Sequence, residues 1–225
     1  MDWNAIGLSL RLSAWTTLLL LVLGLPLSWW LARSQWRWKF LLEAVVALPL
    51  VLPPTVLGFY LLLALGPRSP LGRAAESLLG HSLPFSFTGL LLASVLYSLP
   101  FAIQPFTTAF ASVDARLIEA SWCLGVSRAA TFRRVVLPLS APGIVSGMVL
   151  TFAHTLGEFG VVLMVGGNLE GRTRTASISI YDSVQALDYE AAGRTALFLF
   201  VFSFLVLAVT YGLRRGVGVS WPTRS

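Results

Sequence analysis

Charged side chains are scarce in this sequence. Only 12% of its 225 residues are charged, against roughly 25% in ordinary soluble domains, and 56% are hydrophobic. Cysteine is scarce too, since Cys123 stands alone, and there are only two histidines. These shortages exclude an intramolecular disulfide and a cysteine-rich metal site. The composition disfavours a soluble domain and favours an integral membrane protein.

Several familiar sequence patterns are missing as well. No G-x-x-x-x-G-K-[ST] pattern occurs, so the chain is not itself expected to be an ATPase. The net charge of +6 is spread between apolar blocks instead of lying beside a soluble core, which argues against a nucleic-acid-binding protein. The first apolar segment lacks a small-residue cleavage site, so we expect a membrane anchor and not a signal peptide.

Long uncharged segments are what the sequence does contain. Crossing a bilayer core of about 30 Å takes about 20 helical residues. Four segments satisfy this without any charge, and a fifth carries only His154. The chain is therefore predicted to be an all-α integral membrane protein with about five transmembrane helices in a single domain, 1–225. The predicted spans are 12–32, 44–65, 89–110, 135–157 and 195–213, and the third loop is 112–138.

The segment Phe159–Leu169 is uncharged but too short to cross a membrane alone. It contains Gly166 and Gly167, which favour a turn. Two interpretations remain open at this point: the segment is the outer end of the fourth span, or it is a re-entrant turn.

Lysine and arginine are unevenly divided between the predicted loops. The first loop, the third loop and the C-terminal tail hold ten of the 16 basic residues and three of the ten acidic residues. Because basic residues are enriched on the cytoplasmic side, these loops are predicted to lie inside the cell. The N-terminus is then outside and the C-terminus cytoplasmic. Trp29, Trp30, Trp36 and Trp38 beside the first loop are typical of an aromatic belt at the inner interface.

The third loop concentrates charge between two apolar spans. Its sequence predicts a helix, a turn and a second helix, because Ser112 or Asp114 can cap the first helix and Ser127 the second. Gly125 stands where a left-handed residue would end the first helix. The second helix is expected to end near residues 137–138, where a proline follows.

One face of the first loop helix is small and apolar. Leu117, Ala120, Ser121 and Leu124 recur at three- and four-residue spacing. Such a face suits docking into a groove on another protein. Alternatively, the loop is a basic linker whose arginines only fix the topology.

The same loop contains a fixed pattern: Glu-Ala-Ser, three residues, Gly, nine residues, Val, one residue, Leu-Pro. It resembles the EAA loop of bacterial ABC importer permeases, with Ser replacing Ala and Val replacing Ile. The resemblance implies a type I importer core whose coupling helix inserts into a separate ATPase subunit. That partner would bind ATP and Mg²⁺, so this chain would hold no cofactor and would not be an enzyme. The matching residues are Glu119, Ala120, Ser121, Gly125, Val135, Leu137 and Pro138.

The second predicted span contains three prolines, Pro49, Pro53 and Pro54. An interior proline removes a backbone hydrogen bond and costs about 3 kcal/mol, so a bent or broken helix is predicted. In a membrane such a break survives only against protein or a water-filled cavity. The span is therefore a candidate to line a path, although a kink that only improves packing is the alternative.

The fourth span carries the two ionisable residues His154 and Glu158 on one helical face, near Thr155 and Gly157 at its expected outer end. Ionisable groups at membrane depth usually face a cavity or a partner. The two residues therefore either line a path or satisfy each other near the interface. Together with the distant His81 they do not supply the ligands of a metal site.

The segments LPLVLPPTVLGFYLLLALGPRSPLG and FAHTLGEFGVVLMVGG resemble corresponding segments of molybdate ABC transporter permeases. The resemblance implies molybdate as the transported anion, with tungstate possible and sulfate or thiosulfate as the alternative. In that family these two spans form the outer gate. Gate residues implied by the resemblance are Pro53, Pro54, Thr55, Gly157 and Glu158, and further candidates for the translocation path are Pro49, His154 and Thr155.

A carboxylate beside the path of an anion would repel it. Glu158 is therefore expected to be paired, with Arg172, with Arg174 or with a protein docked outside. The last external loop, which contains these arginines, is expected to face a binding protein or to cover the gate as an interfacial helix.

The resemblance also implies an assembly in a prokaryotic cell (inner) membrane. Two copies of this chain would form the path, with two cytoplasmic ATPase subunits and one external substrate-binding protein. An ion-coupled secondary transporter is the first alternative, but repeated halves and several embedded carboxylates are missing from the sequence. An integral membrane enzyme is the second, and it would need clustered His, Asp or Glu.

Overall fold

The structure is a computed structural model that describes residues 1–216. Every regular element in that range is helical, which confirms the predicted fold class. Four helical stretches are long and apolar enough to cross a membrane, and a fifth crossing requires two consecutive helices, Lys39–Val51 and Pro54–Leu65, together. The helices are α1 (Trp3–Arg33), α2 (Lys39–Val51), α3 (Pro54–Leu65), α4 (Pro70–Leu79), α5 (Phe87–Ala111), α6 (Ala115–Cys123), α7 (Arg128–Thr131), α8 (Leu137–Leu156), α9 (Gly160–Gly166), α10 (Ala176–Gln185) and α11 (Tyr189–Gly216), with a π-helical turn, Phe132–Val136, between α7 and α8.

α1 and α5 form the centre of the bundle and run in the same direction. Leu12 packs with Leu90 near the start of α5. Ser28, near the end of α1, donates a hydrogen bond to the carbonyl of Ile103 at 3.3 Å. α1 begins nine residues before the predicted span, at Trp3, because its first turns continue the helix beyond the uncharged segment.

α8 packs against α5 in the opposite direction. The Ser140 hydroxyl, near the start of α8, donates to the carbonyl of Ala109 at 3.2 Å. The Thr155 hydroxyl, near the end of α8, lies 2.9 Å from that of Ser98, near the middle of α5. The charged third loop, which joins α5 to α8, therefore lies at the opposite end of the bundle from the start of α1.

The second predicted span consists of two helices, and the chain bends by 114° between them. α2 ends at Val51 and α3 begins at Pro54, and the two residues between them are extended. Proline suits the first position of a helix because the N–H it lacks would have no partner there. Pro49, in contrast, lies buried inside α2. The predicted break is confirmed, and it falls at Leu52 and Pro53.

The second helix of the third loop does not end near residues 137–138, so this prediction is wrong. α7 continues through the π-helical turn into α8, which gives one helical stretch, Arg128–Leu156. Pro138 is the second residue of α8, and only Leu137 separates it from the π-helical turn. A proline interrupts the hydrogen bonds of a preceding α-helical turn, and the i→i+5 pattern of a π turn accommodates such a local change.

α9 continues the fourth span toward the start of α5. The N–H of Phe85 donates to the carbonyl of Val165 at 2.9 Å. Gly166 packs against Leu90, since a Cβ on Gly166 would lie 2.5 Å from a Leu90 methyl carbon. The geometry favours the outer end of span four over a re-entrant turn.

The loop between the fourth and fifth spans contains α10, which packs on the end of the bundle where α1 begins. The N–H of Ala176 donates to the Ser9 hydroxyl at 2.8 Å, and Ile178 is fully buried beside Leu12. α11 follows and begins at Tyr189, six residues before the predicted fifth span. Arg224 and the predicted cytoplasmic C-terminus lie outside the described residues.

Candidate gate and coupling element

The breaks in the second and fourth spans lie side by side. Gly157, Glu158 and Phe159 separate α8 from α9. Gly160 then packs so closely on Pro54 that a Cβ on Gly160 would lie 2.7 Å from the Pro54 Cβ. Non-helical backbone at membrane depth requires protein or water around it. The paired breaks are therefore the part of the bundle suited to a gate.

A cavity of about 430 Å³ opens at these breaks. Five of the eight predicted gate and path residues line it, which brings the second and fourth spans to one site. Of the other three, Pro49 is buried in α2, Pro53 is exposed at the break, and Thr155 is buried beside Ser98. The cavity is lined by Pro54, Thr55, Tyr97, His154, Gly157, Glu158, Phe159, Gly160, Leu163 and Met164.

Glu158 is buried, with only 5% of its surface exposed. The Ser94 hydroxyl donates to Glu158 Oε2 at 2.9 Å, while Oε1 has no hydrogen-bond partner among the described residues. The expected pairing with Arg172 or Arg174 is wrong. Arg172 lines a different cavity, and Arg174 pairs with Asp182 at 3.7 Å. The break directs Glu158 toward α5 instead of the loop that contains Arg172 and Arg174.

His154 also bonds to α5 and not to Glu158. Its Nδ1 lies 3.0 Å from the Ser98 hydroxyl. Its ring stacks on Phe101, with the ring centroids 3.8 Å apart, and lies 4.9 Å from that of Tyr97. The interpretation that His154 and Glu158 satisfy each other is therefore wrong.

The depth of this polar cluster differs from the prediction. Ser98 is the twelfth residue of α5, which has 25 residues, so His154 lies near mid-bundle instead of at the outer end. The short α9 supplies the missing outer part of the span. The path candidates therefore lie near the middle of the bundle.

Sequence reasoning missed the partners of the two ionisable residues. Ser94, Tyr97 and Ser98 hold or flank them, and Gly160 permits the contact with Pro54. Ser94 and Ser98 stand four apart on one helical face, but the same span also contains Gln104, Thr107 and Thr108, so the sequence did not single them out. Within residues 1–216, no three His, Cys, Asp or Glu side chains are grouped as metal ligands would be.

The third loop, 112–138, lies at the other end of the bundle and forms the predicted helix, turn and helix. Asp114 caps α6 by accepting from the N–H of Arg116 at 2.9 Å, and Ser127 caps α7 by accepting from the N–H of Ala130 at 3.4 Å. Gly125 adopts φ +76°, a left-handed conformation that glycine takes without steric cost. The caps and the turn predicted from the sequence are therefore confirmed.

Most of the predicted docking face of α6 is exposed. Leu124 is 83% exposed and Leu117 49%, and Glu119 and Ala120 are also exposed. Ser121 is the exception: it is buried, and its hydroxyl lies 2.9 Å from that of Thr131 in α7. Its predicted place on the docking face is wrong because this contact holds the two short helices together.

The inner side of α6 connects the loop to the bundle. Ile118 is buried with Val136 of the π-helical turn and with Phe110 of α5. Of the remaining predicted coupling residues, Val135 and Leu137 are half-buried and Pro138 is exposed. A displacement of α6 would therefore press on α5 and on the start of the fourth span.

Comparisons with known proteins agree with this architecture. Residues 24–218 match the family described as Binding-protein-dependent transport system inner membrane component. The chain is 51% identical over 214 residues to the "Molybdenum transport system permease protein ModB" of Azotobacter vinelandii, covering 95% of each chain. It is 35% identical over 215 residues to the protein of the same name from Escherichia coli (strain K12), covering 95% of this chain and 94% of the relative.

The fold is also similar to a solved structure. The match has a TM-score of 0.77 at 19% identity and covers 95% of this chain and 79% of the other. That structure is described as a bacterial ABC transporter involved in the import of the acidic polysaccharide alginate. At this identity the likeness concerns the fold alone.

Proposed function

The chain belongs to the family of binding-protein-dependent transport system inner membrane components, and on that premise we propose that it is the permease subunit of an ATP-driven molybdate importer. The observation that carries the substrate is the 51% identity to a molybdenum permease over 95% of both chains. Tungstate, which resembles molybdate in size and charge, would follow the same path.

The geometry supports a path between the second and fourth spans. The cavity at the paired breaks is lined by the Thr55 hydroxyl and the His154 ring, and the Glu158 carboxyl in its wall accepts a hydrogen bond from Ser94. A substrate that must leave again should be held weakly, and hydroxyl and amide groups are sufficient for that. Separation of Gly160 from Pro54 would open this site, so these breaks serve as the gate.

The loop at the other end supports coupling to an ATPase. α6 presents exposed Leu117, Glu119 and Leu124 to a partner, while buried Ile118 contacts the bundle. Coupling requires that two global states make different contacts at such an element. We place this end in the cytoplasm and the N-terminus outside, as the distribution of basic residues predicts.

The assembly we propose has two copies of this chain, two ATPase subunits and one external binding protein. A single bundle of four or five spans is small for a gated path, and most oligomers of this kind close with two-fold symmetry. The ATPase subunits would bind ATP and Mg²⁺. This chain would bind neither and would catalyse no reaction.

The test is ATP-driven uptake by the complete transporter in liposomes. Radiolabelled molybdate should enter only when ATP is on the ATPase side and the binding protein is outside. Leu124→Ser should lower both the amount of ATPase that copurifies and the uptake rate several-fold. The matched control is Leu78→Ser on α4, because Leu78 is 85% exposed and lies outside the loop.

Two results would overturn the proposal. Uptake driven by an ion gradient without ATP would make the chain a secondary transporter. If Leu124→Ser and Leu78→Ser lowered ATPase copurification and uptake equally, α6 would have no specific role in coupling to the ATPase.

A further inference from the structure

A second cavity, which we call the outer cavity, lies at the end of the bundle opposite the third loop, 112–138, which we call the coupling loop. It is larger than the cavity at the paired breaks, which we call the gate cavity. Its volume is about 790 Å³, and none of the gate residues lines it. Its walls come from the first turns of α1, the segment before α5 and the loop after α9. The polar residues that line it include Asn4, Arg11, His81, Ser86, Thr88 and Arg172.

The charge of this outer cavity is positive and uncompensated. Arg11 and Arg172 both line it, and no aspartate or glutamate does. Among the ion pairs of residues 1–216, none involves either arginine, whereas Arg174 two residues further on pairs with Asp182 and Glu170. Two guanidinium groups that share a cavity without a carboxylate favour an anionic occupant.

Arg11 is held at the wall of the outer cavity by an aromatic ring. Its guanidinium carbon lies 4.7 Å from the centroid of Phe87, within the range of a cation–π contact. This contact orients the side chain without neutralising its charge. The N–H groups of Arg11 therefore remain able to bind an anion bidentately.

The start of α5 adds a second source of positive potential. Ser86 caps this helix by accepting from the N–H of Gly89 at 3.1 Å. The N–H groups of Phe87 and Thr88 stand in the first turn, where a helix provides no internal partner. Both residues line the outer cavity, so the positive end of a 25-residue helix is directed at it together with the two arginines.

We propose that the outer cavity binds a tetrahedral oxyanion group through Arg11, Arg172 and the start of α5. Two sources share this chemistry: a free oxyanion that waits to enter the path, and the phosphate of a lipid headgroup. The free-oxyanion source rests on the proposed function. An oxyanion bound in the outer cavity would raise the substrate concentration at the outer end of the bundle, separated from the gate by the length of α9.

The experiment uses the full chain, purified without partners in a phosphate-free maltoside detergent, with tungstate as the probe. Titration calorimetry should show one site. Arg11→Gln and Arg172→Gln should each weaken tungstate binding at least tenfold. Arg73→Gln is the matched control, because Arg73 is an exposed arginine of α4 that does not line the outer cavity. Phospholipid that copurifies with each variant is measured by mass spectrometry.

Each outcome decides the proposal. Arginine-dependent tungstate binding supports the free oxyanion. Absence of tungstate binding, with phospholipid lost from Arg11→Gln and Arg172→Gln but kept by Arg73→Gln, supports the lipid headgroup. The proposal is overturned if neither ligand depends on the two arginines, or if Arg73→Gln has the same effect. It is also overturned if the two substitutions weaken only the affinity for the binding protein, which would make the cavity a docking surface.

A parallel uptake assay on the unmodified transporter separates this proposal from the proposed function. Normal ATP-driven molybdate uptake without any ligand in the outer cavity would overturn the proposed site but not the proposed importer function. Arginine-dependent tungstate binding by a chain that supports no uptake would overturn the importer function but not the site.

Discussion

Polar side chains inside the bundle connect α5 to the fourth span at two points. Ser94 binds Glu158, and Ser98 bridges His154 and Thr155. Ionisable residues in a membrane are costly and are retained where they have a partner or a cavity. Here each has both, since His154 and Glu158 also line the gate cavity. These pairs hold α8 and its break against α5.

Ser94→Ala tests the importance of this link. The variant leaves both carboxyl oxygens of buried Glu158 without a donor, which should lower the free energy of unfolding by about 1–3 kcal/mol. The measurement is unfolding by detergent titration. Ser77→Ala is the control, because the exposed Ser77 hydroxyl bonds only to the carbonyl of Ala74 within α4.

A double-mutant cycle shows whether the loss comes from Glu158. In a Glu158→Met background, Ser94→Ala should cost clearly less, since no buried carboxyl remains to be satisfied. An equal cost in both backgrounds would mean that the serine hydroxyl stabilises the bundle in another way.

At the residue scale the sequence located the ionisable groups but not their partners. His154 and Glu158 were recognisable because charged or titratable residues are rare in an apolar span. Ser94 and Ser98 lie more than 50 residues away, and nothing local distinguishes them from small packing residues. Such pairings depend on which helix faces align in the folded bundle.

Interrupted helices are the main feature at the scale of elements. The bend between α2 and α3 was predictable because proline removes a backbone donor. The break at residues 157–159 was not predictable from the sequence, since it contains no proline and follows a regular apolar pattern. As a result, the sequence placed His154 and Glu158 at the outer end of the fourth span, whereas α9 continues that span beyond them. The π-helical turn was also missed, because helix-period patterns do not distinguish it from an α-helix.

Gly160→Ala tests whether the two breaks must touch. A methyl group at this position would lie 2.7 Å from the Pro54 Cβ, so α3 and α9 would have to separate. Overpacking of this kind costs about 1–3 kcal/mol. Molybdate uptake by the reconstituted transporter should fall several-fold, and the free energy of unfolding should fall as well.

Gly193→Ala is the matched control for this substitution. A Cβ on Gly193 meets nothing within 4 Å, so the change in α11 should preserve uptake and leave stability equal or slightly higher. Full uptake by Gly160→Ala would show that the gate does not depend on close contact between the two breaks.

At the scale of the whole molecule, the two ends of the bundle differ in chemistry. One end carries the coupling loop with its exposed apolar and basic residues. The other carries the outer cavity, α4 and α10. The direction of α1, α5 and α8 places the start of the chain and the coupling loop at opposite ends. The proposed mechanism requires the coupling loop to be cytoplasmic.

Cys123 makes this orientation measurable with the natural sequence. It is the only cysteine, and it is exposed at the end of α6 in the coupling loop. In cells that express the chain without an ATPase, a membrane-impermeant maleimide should label inverted vesicles and leave spheroplasts unlabelled. The control is Ser77→Cys in a Cys123→Ser background, since Ser77 is exposed on α4, four residues before His81 of the outer cavity. It should show the opposite pattern. Labelling of Cys123 in spheroplasts would place α6 outside, where no ATPase could reach it, and the coupling mechanism would fail with the orientation.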